Sequence, residues 1–523
     1  MLHSESWKGG SQSYCSLTIL TLFFFSLSSA ILGCKNFEHS NADSVANIYF
    51  HSHVDSAKIC LLDFIKKEKD TIEADKQTKV YYSNDGDWMW AGSEEMLKRC
   101  DTVVEYIKEH ISDIGFKKDE FFIDTLMADI HRLKHIEQDS AFDAVQAMAR
   151  VELHMTKAYL RYSIGQHFGF IDPRKVFNHI DKDNRGGYRS LFDISVNRPD
   201  SNFIKKAVNS VEENEAVEFL TQCEPTDKNY LLLKDALHKD SIEGNCKKLL
   251  LNMERCRWQI IDNPLQKEKF IFVNVPAQNL WAVNTDSVLS MRICCGAFRT
   301  KTPLLTSKIN LVQFNPEWGI PMSIIRNEVS AHAGDSAYFA RHRYFIIHNG
   351  DTVNPKDVTP AQLRSGGYRI SQKSGPGNSL GRIIFRFPNN HDVYLHDTNQ
   401  PGAFKNDRRT ISHGCVRVQR PFDLMQFVLS DLDEWTTEKI RLSIDIKPET
   451  EKGKKYLREY LKEHADDDKP IRLVNSIKTN PQTPVYIGYF TAFPNPDTKE
   501  IEFWSDRYEF DEKMEIVLKP FLN

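Results

Sequence analysis

Apolar residues recur at three- and four-residue spacing through the first half of the chain. The clearest runs are DTLMADIHRLKHI (124–136), SAFDAVQAMARVELHMTKAYLRYSIGQ (140–166) and KNYLLLKDALHKD (228–240). That period lays one apolar stripe along a helix, and few Gly or Pro interrupt it. FGFIDPRKVF and HIDKDNRGGYRS carry turn residues and read as connections between helices. Residues from about 35 to 250 therefore predict a helical scaffold.

The pattern changes near residue 268. KFIFVNVPAQNLWAV, SVLSMRICCGAF and INLVQFNPEW are short β-rich runs bounded by Pro, Asn and Asp. A turn-rich stretch from Ile320 to about Gly381 reads as an insertion or lid over a site. RIIFRF and DVYLHDT predict a hairpin around PNNH, with His396 near the end of its second strand. Pro421 opens a helix, PFDLMQFVLSDL. The charge-dense run 447–470 reads as a solvated helix, and PVYIGYFTAF and KEIEFWS as tail strands packing back onto the β-rich domain. The expected fold class is α+β. Its expected divisions are a scaffold at 34–250, a β-rich catalytic domain at 251–445 with a lid at about 320–381, and a tail subdomain at 446–523.

Composition narrows the function. A chain of 523 residues exceeds one core and implies two to four domains. Its 68 Lys and Arg nearly balance 72 Asp and Glu, and no basic stripe with interleaved aromatics offers a nucleic-acid footprint. Leu17–Leu32 is an apolar run of 16 residues without charge, shorter than the ~20 a membrane-spanning helix needs. It suits the apolar core of an export signal at 1–33, although Lys8 is the one lysine or arginine before it. Gly33–Cys34 follows, which makes Cys34 a candidate lipidation site and the membrane a partner through that anchor alone. Ten cysteines show no CxxC spacing, so neither a zinc ribbon nor a thioredoxin motif is present. Cys294 and Cys295, adjacent in a strand, read as buried fillers.

The chemistry concentrates in SHGCVRV (412–418), where His413 precedes Cys415 by two positions and Arg417 follows by two. Acyl transfer through cysteine needs a thiolate, a base in reach, and donors aimed at a developing oxyanion. Gly414 permits a tight turn that lets the amides of Gly414 and Cys415 face one oxygen. His396 and His413 are both candidate bases, and His413 is so close in sequence that a structural role suits it better. On this reading the imidazole at 396 keeps the sulfur at 415 ionised. Tyr394 alternates with Val393 and Leu395 and fits core or site equally. His342 and His348 read as lid or surface residues, and Arg408 and Arg409 as solvated. A zinc site from His396, His413 and Cys415 lacks a spaced fourth ligand, and Arg417 would repel the ion.

YLHDTNQPGAFKNDRRTISHGCVRV resembles the YkuD-type L,D-transpeptidase signature, in which a histidine is followed after fifteen or so residues by Ser/Thr-His-Gly-Cys, one residue and Arg. NMERCRW, VNVPAQNL, TPLLTSKINLVQFNPEWGIPMSI, GPGNSLGRIIFRFPNNHDVYLHDT and TPVYIGYFTAF resemble the large periplasmic YcbB-like branch, and KAYLRYSIGQHFGFIDPRKV its scaffold. No YG..GxxVxxFQ element marks a wall-binding module between 180 and 250.

The resemblance implies Cys415 as nucleophile and His396 as base. It implies an oxyanion hole framed by His413, Gly414 and Cys415 and aided by Tyr394, with Ser412 orienting His413. Arg417 anchors the motif loop, and Asn378 contacts substrate. The implied reaction takes tetrapeptide stems of peptidoglycan, releases D-alanine, and forms 3→3 crosslinks through a thioester, with no cofactor. An L,D-carboxypeptidase of the same fold and a non-catalytic wall-associated scaffold are the competing readings. The implied location is the periplasm, as a lipoprotein, with cell-wall synthesis or outer-membrane proteins as candidate partners.

Overall fold

The computed structural model describes residues 45–68, 72–136, 143–183, 186–239, 244–464 and 471–522. The apolar segment 17–32 and Cys34 lie outside the described residues.

The first half is helical, as its periodicity predicts. Helices Val45–Lys67, Glu73–Ser83, Glu94–Asp113 and Ile123–Lys134 pack around Ala144–Phe168. That central helix is buried at 20 of its 25 positions, so its polar residues must find partners inside. Glu152 accepts hydrogen bonds from the amides of Met89, Trp90 and Ala91 and from the Tyr82 hydroxyl. Arg161 forms a two-point contact with Asp75. Asp143 and Ser93 cap helix N-termini by accepting the amides of Gln146 and Met96.

The expected border at 250/251 falls inside one helix, Cys246–Arg257. This helix joins the halves rather than dividing them. Arg255 meets Asp511 at 2.6 Å, Asn252 bonds Thr491, and Arg257 reaches back to Gln166 and Tyr230.

The second half is built on one sheet whose hydrogen-bonded path returns to its start. Leu304–Phe314 pairs with Ile383–Arg386, then in turn come Leu395–His396, Val416–Val418, Ser287–Gly296, Asn279–Asn284, Phe270–Asn274 and Ser476–Gly488, which closes on Leu304–Phe314. The tail strand Ser476–Gly488 is thus integral to the catalytic sheet, parallel to Phe270–Asn274 and antiparallel to Leu304–Phe314. The tail, expected to pack back onto the β-rich domain, meets it by sharing its sheet. Its apolar run pairs with strands more than 160 residues away, a relationship local pattern does not encode. The scaffold also contributes to this sheet, because Phe192–Asp193 pairs in parallel with Leu304 and Leu305.

The lid-like segment folds as a small unit between Phe314 and Ile383. Four strands (Trp318–Gly319, Tyr344–His348, Asp351–Val353 and Tyr368–Gln372) form their own sheet. Ile320, Ile325, Phe339, Ile346 and Leu363 fill its separate core.

Candidate active site

Two short parallel strands set the geometry. Leu395 pairs with Val416 and His396 with Arg417, and the Tyr394 carbonyl accepts the Val416 amide at 3.2 Å. Partners in a parallel ladder project to the same side, and alternate residues of a strand share a face. Tyr394, His396, Cys415 and Arg417 therefore stand on one face, with His396 diagonal to Cys415. The Tyr394 and His396 rings meet edge to face at 5.9 Å.

The electrostatics correct one expectation. Packing around the sulfur pushes the Cys415 thiol up to about 11, although the residue keeps part of its surface open. Hydrogen bonds from the Tyr394 amide and hydroxyl, and the Arg417 charge, pull it down without offsetting that burial. Burial likewise holds His396 down to about 4, reinforced by the Arg417 guanidinium and opposed by the carbonyls of Asp397 and Leu380. Both shifts favour the neutral forms, where a sulfur held ionised by the imidazole was expected. The thiol donates to the Asp392 carbonyl at 3.5 Å. Among the described residues His396 Nδ1 is buried with no hydrogen-bond partner.

The motif loop is braced from beneath. Gly414 has φ +122°, a region that excludes ordinary side chains, and its carbonyl accepts the Thr302 hydroxyl at 2.8 Å. The Thr300 hydroxyl donates to the Ser412 carbonyl at 2.8 Å. Tyr508, from the tail, donates to the Gly296 carbonyl and accepts the Thr302 amide. Lys301 between the two threonines is buried against Asp181 of the helical half, at 2.9 Å.

Several predicted roles change. Ser412 does not orient His413; its hydroxyl donates to the Cys415 carbonyl at 2.6 Å and accepts the Gly414 amide at 3.2 Å. The Gly414 amide is thereby committed within the loop. His413 is exposed and its Nε2 lies 2.7 Å from Glu328 of the lid. Asn378, expected to contact substrate, is buried; its side-chain amide donates to the carbonyls of Pro316 and Lys373, and its oxygen accepts the Leu380 amide. Arg409 is buried rather than solvated, because the carbonyls of Ile293, Gln278 and Asn406 take up its guanidinium. Arg408 is exposed, and Cys294 and Cys295 are fully buried. Arg417 Nη1 bonds Gln400 at 3.3 Å.

No motif or period marks Trp318, whose indole bonds the Tyr394 hydroxyl from the lid, nor Asp392, Thr300 or Thr302. Two grooves flank the motif loop, one beside Tyr394 and one beside Gly414. One, of about 620 Å³, is lined by Arg386, Asp392, Tyr394 and Lys478. The other, of about 520 Å³, is lined by His413, Gly414 and His391 and by Arg189 and Asp193 of the helical half.

Fold and site together define a class: a β-rich domain presenting a thiol beside a neutral imidazole, chemistry suited to acyl transfer. Residues 268–503 match the family model of the YkuD L,D-transpeptidase catalytic domain, and residues 75–237 match a scaffold domain. The chain thus carries a YkuD catalytic domain joined to a scaffold domain, a combination that agrees with the large YcbB-like branch. It is similar to a Haemophilus influenzae protein named "Putative L,D-transpeptidase", with 29% identity over 247 residues, 46% of this chain and 49% of the relative. The chain therefore spans about half the length of that curated relative. A solved structure titled "Structure of the Ldtfm-avibactam carbamoyl enzyme" matches at 15% identity over 34% of this chain and 49% of that one, with a TM-score of 0.19, too low to support a structural comparison.

Proposed function

We propose that this protein is a peptidoglycan L,D-transpeptidase that forms 3→3 crosslinks through a thioester on Cys415. The reading rests on one observation above others: the parallel pairing that sets Tyr394, His396, Cys415 and Arg417 on one face inside a YkuD domain. His396 Nδ1 accepts the thiol proton as sulfur attacks the third residue's carbonyl in a tetrapeptide stem. The C–N bond breaks and the proton passes to the departing D-alanine. The Cys415 amide and the Tyr394 hydroxyl donate to the oxyanion, and Arg417 holds the loop and the ring beside it. A primary amine of a second stem then replaces sulfur. Peptidoglycan lies outside the cytoplasm, and export on segment 17–32 with lipidation at Cys34 completes the proposal.

Disaccharide-tetrapeptides incubated with the purified protein should yield crosslinked dimers and free D-alanine by mass spectrometry. Equal product from Cys415→Ala would overturn the assignment. Tripeptide monomers without dimers would instead identify a carboxypeptidase.

A further inference from the structure

Transpeptidation brings two stems to one sulfur, and two grooves of different charge flank its loop, one at Tyr394, whose amide and hydroxyl bond the sulfur, and one at Gly414, its chain neighbour. The groove beside Tyr394 holds two cations, Arg386 and Lys478, against one carboxylate, Asp392. Among the described residues no carboxylate pairs with either cation; Arg386 Nε bonds the Gln313 amide oxygen at 2.9 Å. That groove suits the carboxylate-bearing body of a donor stem.

The groove beside Gly414 differs. Its two permanent cations are already committed to one acid: Lys301 Nζ lies 2.9 Å from Asp181, and Arg189 lies 3.5 Å from Asp181 while donating to the carbonyls of Arg299 and Lys301. His413 is turned to Glu328. The carboxylate left in the groove is Asp193, whose Oδ2 is met at 3.1 Å by the Asn390 amide and by His391 Nε2. Asp193 comes from the scaffold strand that pairs with Leu304–Leu305, so its position is fixed by the sheet. Its side chain keeps 34% of its surface open.

We infer that this scaffold-walled groove receives the acceptor, a primary amine, and that Asp193 with His391 positions it. This rests on the transpeptidase reading and deepens it. Asp193 supplies the counter-charge for the incoming ammonium, and His391 takes one proton from it and passes that proton to solvent. The neutral amine attacks the thioester carbon; the N–C bond forms as the C–S bond breaks, and the amine's second proton goes to the departing sulfur. Asp193 of the scaffold and His391 of the catalytic domain thereby set the division between crosslinking and hydrolysis.

The test uses the full chain with disaccharide-tetrapeptide as both donor and acceptor, and counts dimer, tripeptide and D-alanine. Counting dimer per D-alanine released scores only protein that folds and acylates. Asp193→Asn and His391→Gln should each lower that ratio on the order of tenfold, the worth of one charge-assisted hydrogen bond, with tripeptide rising to match. The amine concentration for half-maximal dimer should rise, and Asp193→Glu should recover part of the ratio. A purely structural contact would lower dimer and D-alanine together; a ratio within twofold of wild type in both variants overturns the proposal. Absence of Cys415-dependent D-alanine release from wild type overturns the transpeptidase reading itself.

Discussion

His396 and Arg417 are register partners across two parallel strands, so a permanent cation stands on the same face as the imidazole and beside the Cys415 sulfur. The guanidinium lowers both groups, yet burial decides the outcome at each: the thiol sits at about 11 and the imidazole at about 4. Between those values both are neutral.

Alkylation separates this neutral pair from a preformed ion pair. Iodoacetamide reacts with the thiolate, so labelling of Cys415 should climb about tenfold per pH unit from 7 toward 10. A preformed thiolate–imidazolium would label at a constant rate from pH 6 upward. Acylation by substrate should fall only as pH drops through about 4, where His396 gains its proton and ceases to accept one.

Arg417→Met removes the cation that lowers both groups. The acid limb of acylation should move to higher pH, and the alkylation curve should move to higher pH with it. Unmoved curves would mean that Arg417 acts through loop geometry alone.

Ser412→Ala strips one hydroxyl from two backbone groups, the Cys415 carbonyl and the Gly414 amide. The expected cost is roughly 1–3 kcal/mol of stability, with a drop in acylation rate as the loop loosens. Gly414→Ala forces a side chain into positive φ, an expected strain of about 1–3 kcal/mol. Denaturant unfolding of the variants checks both. By contrast, His413→Ala breaks an exposed contact to Glu328 and should cost at most about 1 kcal/mol.

Glu152 makes scaffold stability pH-dependent. Burial raises its carboxyl to about 7, and three amides and the Tyr82 hydroxyl only partly restrain it. A raised folded value means the contribution is complete below about 4.5 and is lost as pH rises through 7, about 3 kcal/mol in all. The melting temperature should fall between pH 5 and 7.5, and Glu152→Gln should flatten that slope.

Periodicity carried the helical half, and the SHGC motif with its upstream histidine marked the candidate site. What stayed hidden depends on distant partners. Ser476–Gly488 closes the sheet through strands far away in sequence, and His413 meets Glu328 from 85 residues earlier. Arg409 and Asn378 sit in polar, turn-rich stretches that read as solvated or substrate-facing, yet backbone carbonyls and amides consume their polar atoms. The charge state of Cys415 follows from burial, which a motif does not encode.

The most direct measurement is the intact mass of the protein mixed with a carbapenem, followed by peptide mapping. The account predicts one adduct per chain, on the peptide containing Cys415 and absent in Cys415→Ala, with the exposed Cys246 unlabelled. No adduct, or one on Cys246 instead, would contradict it.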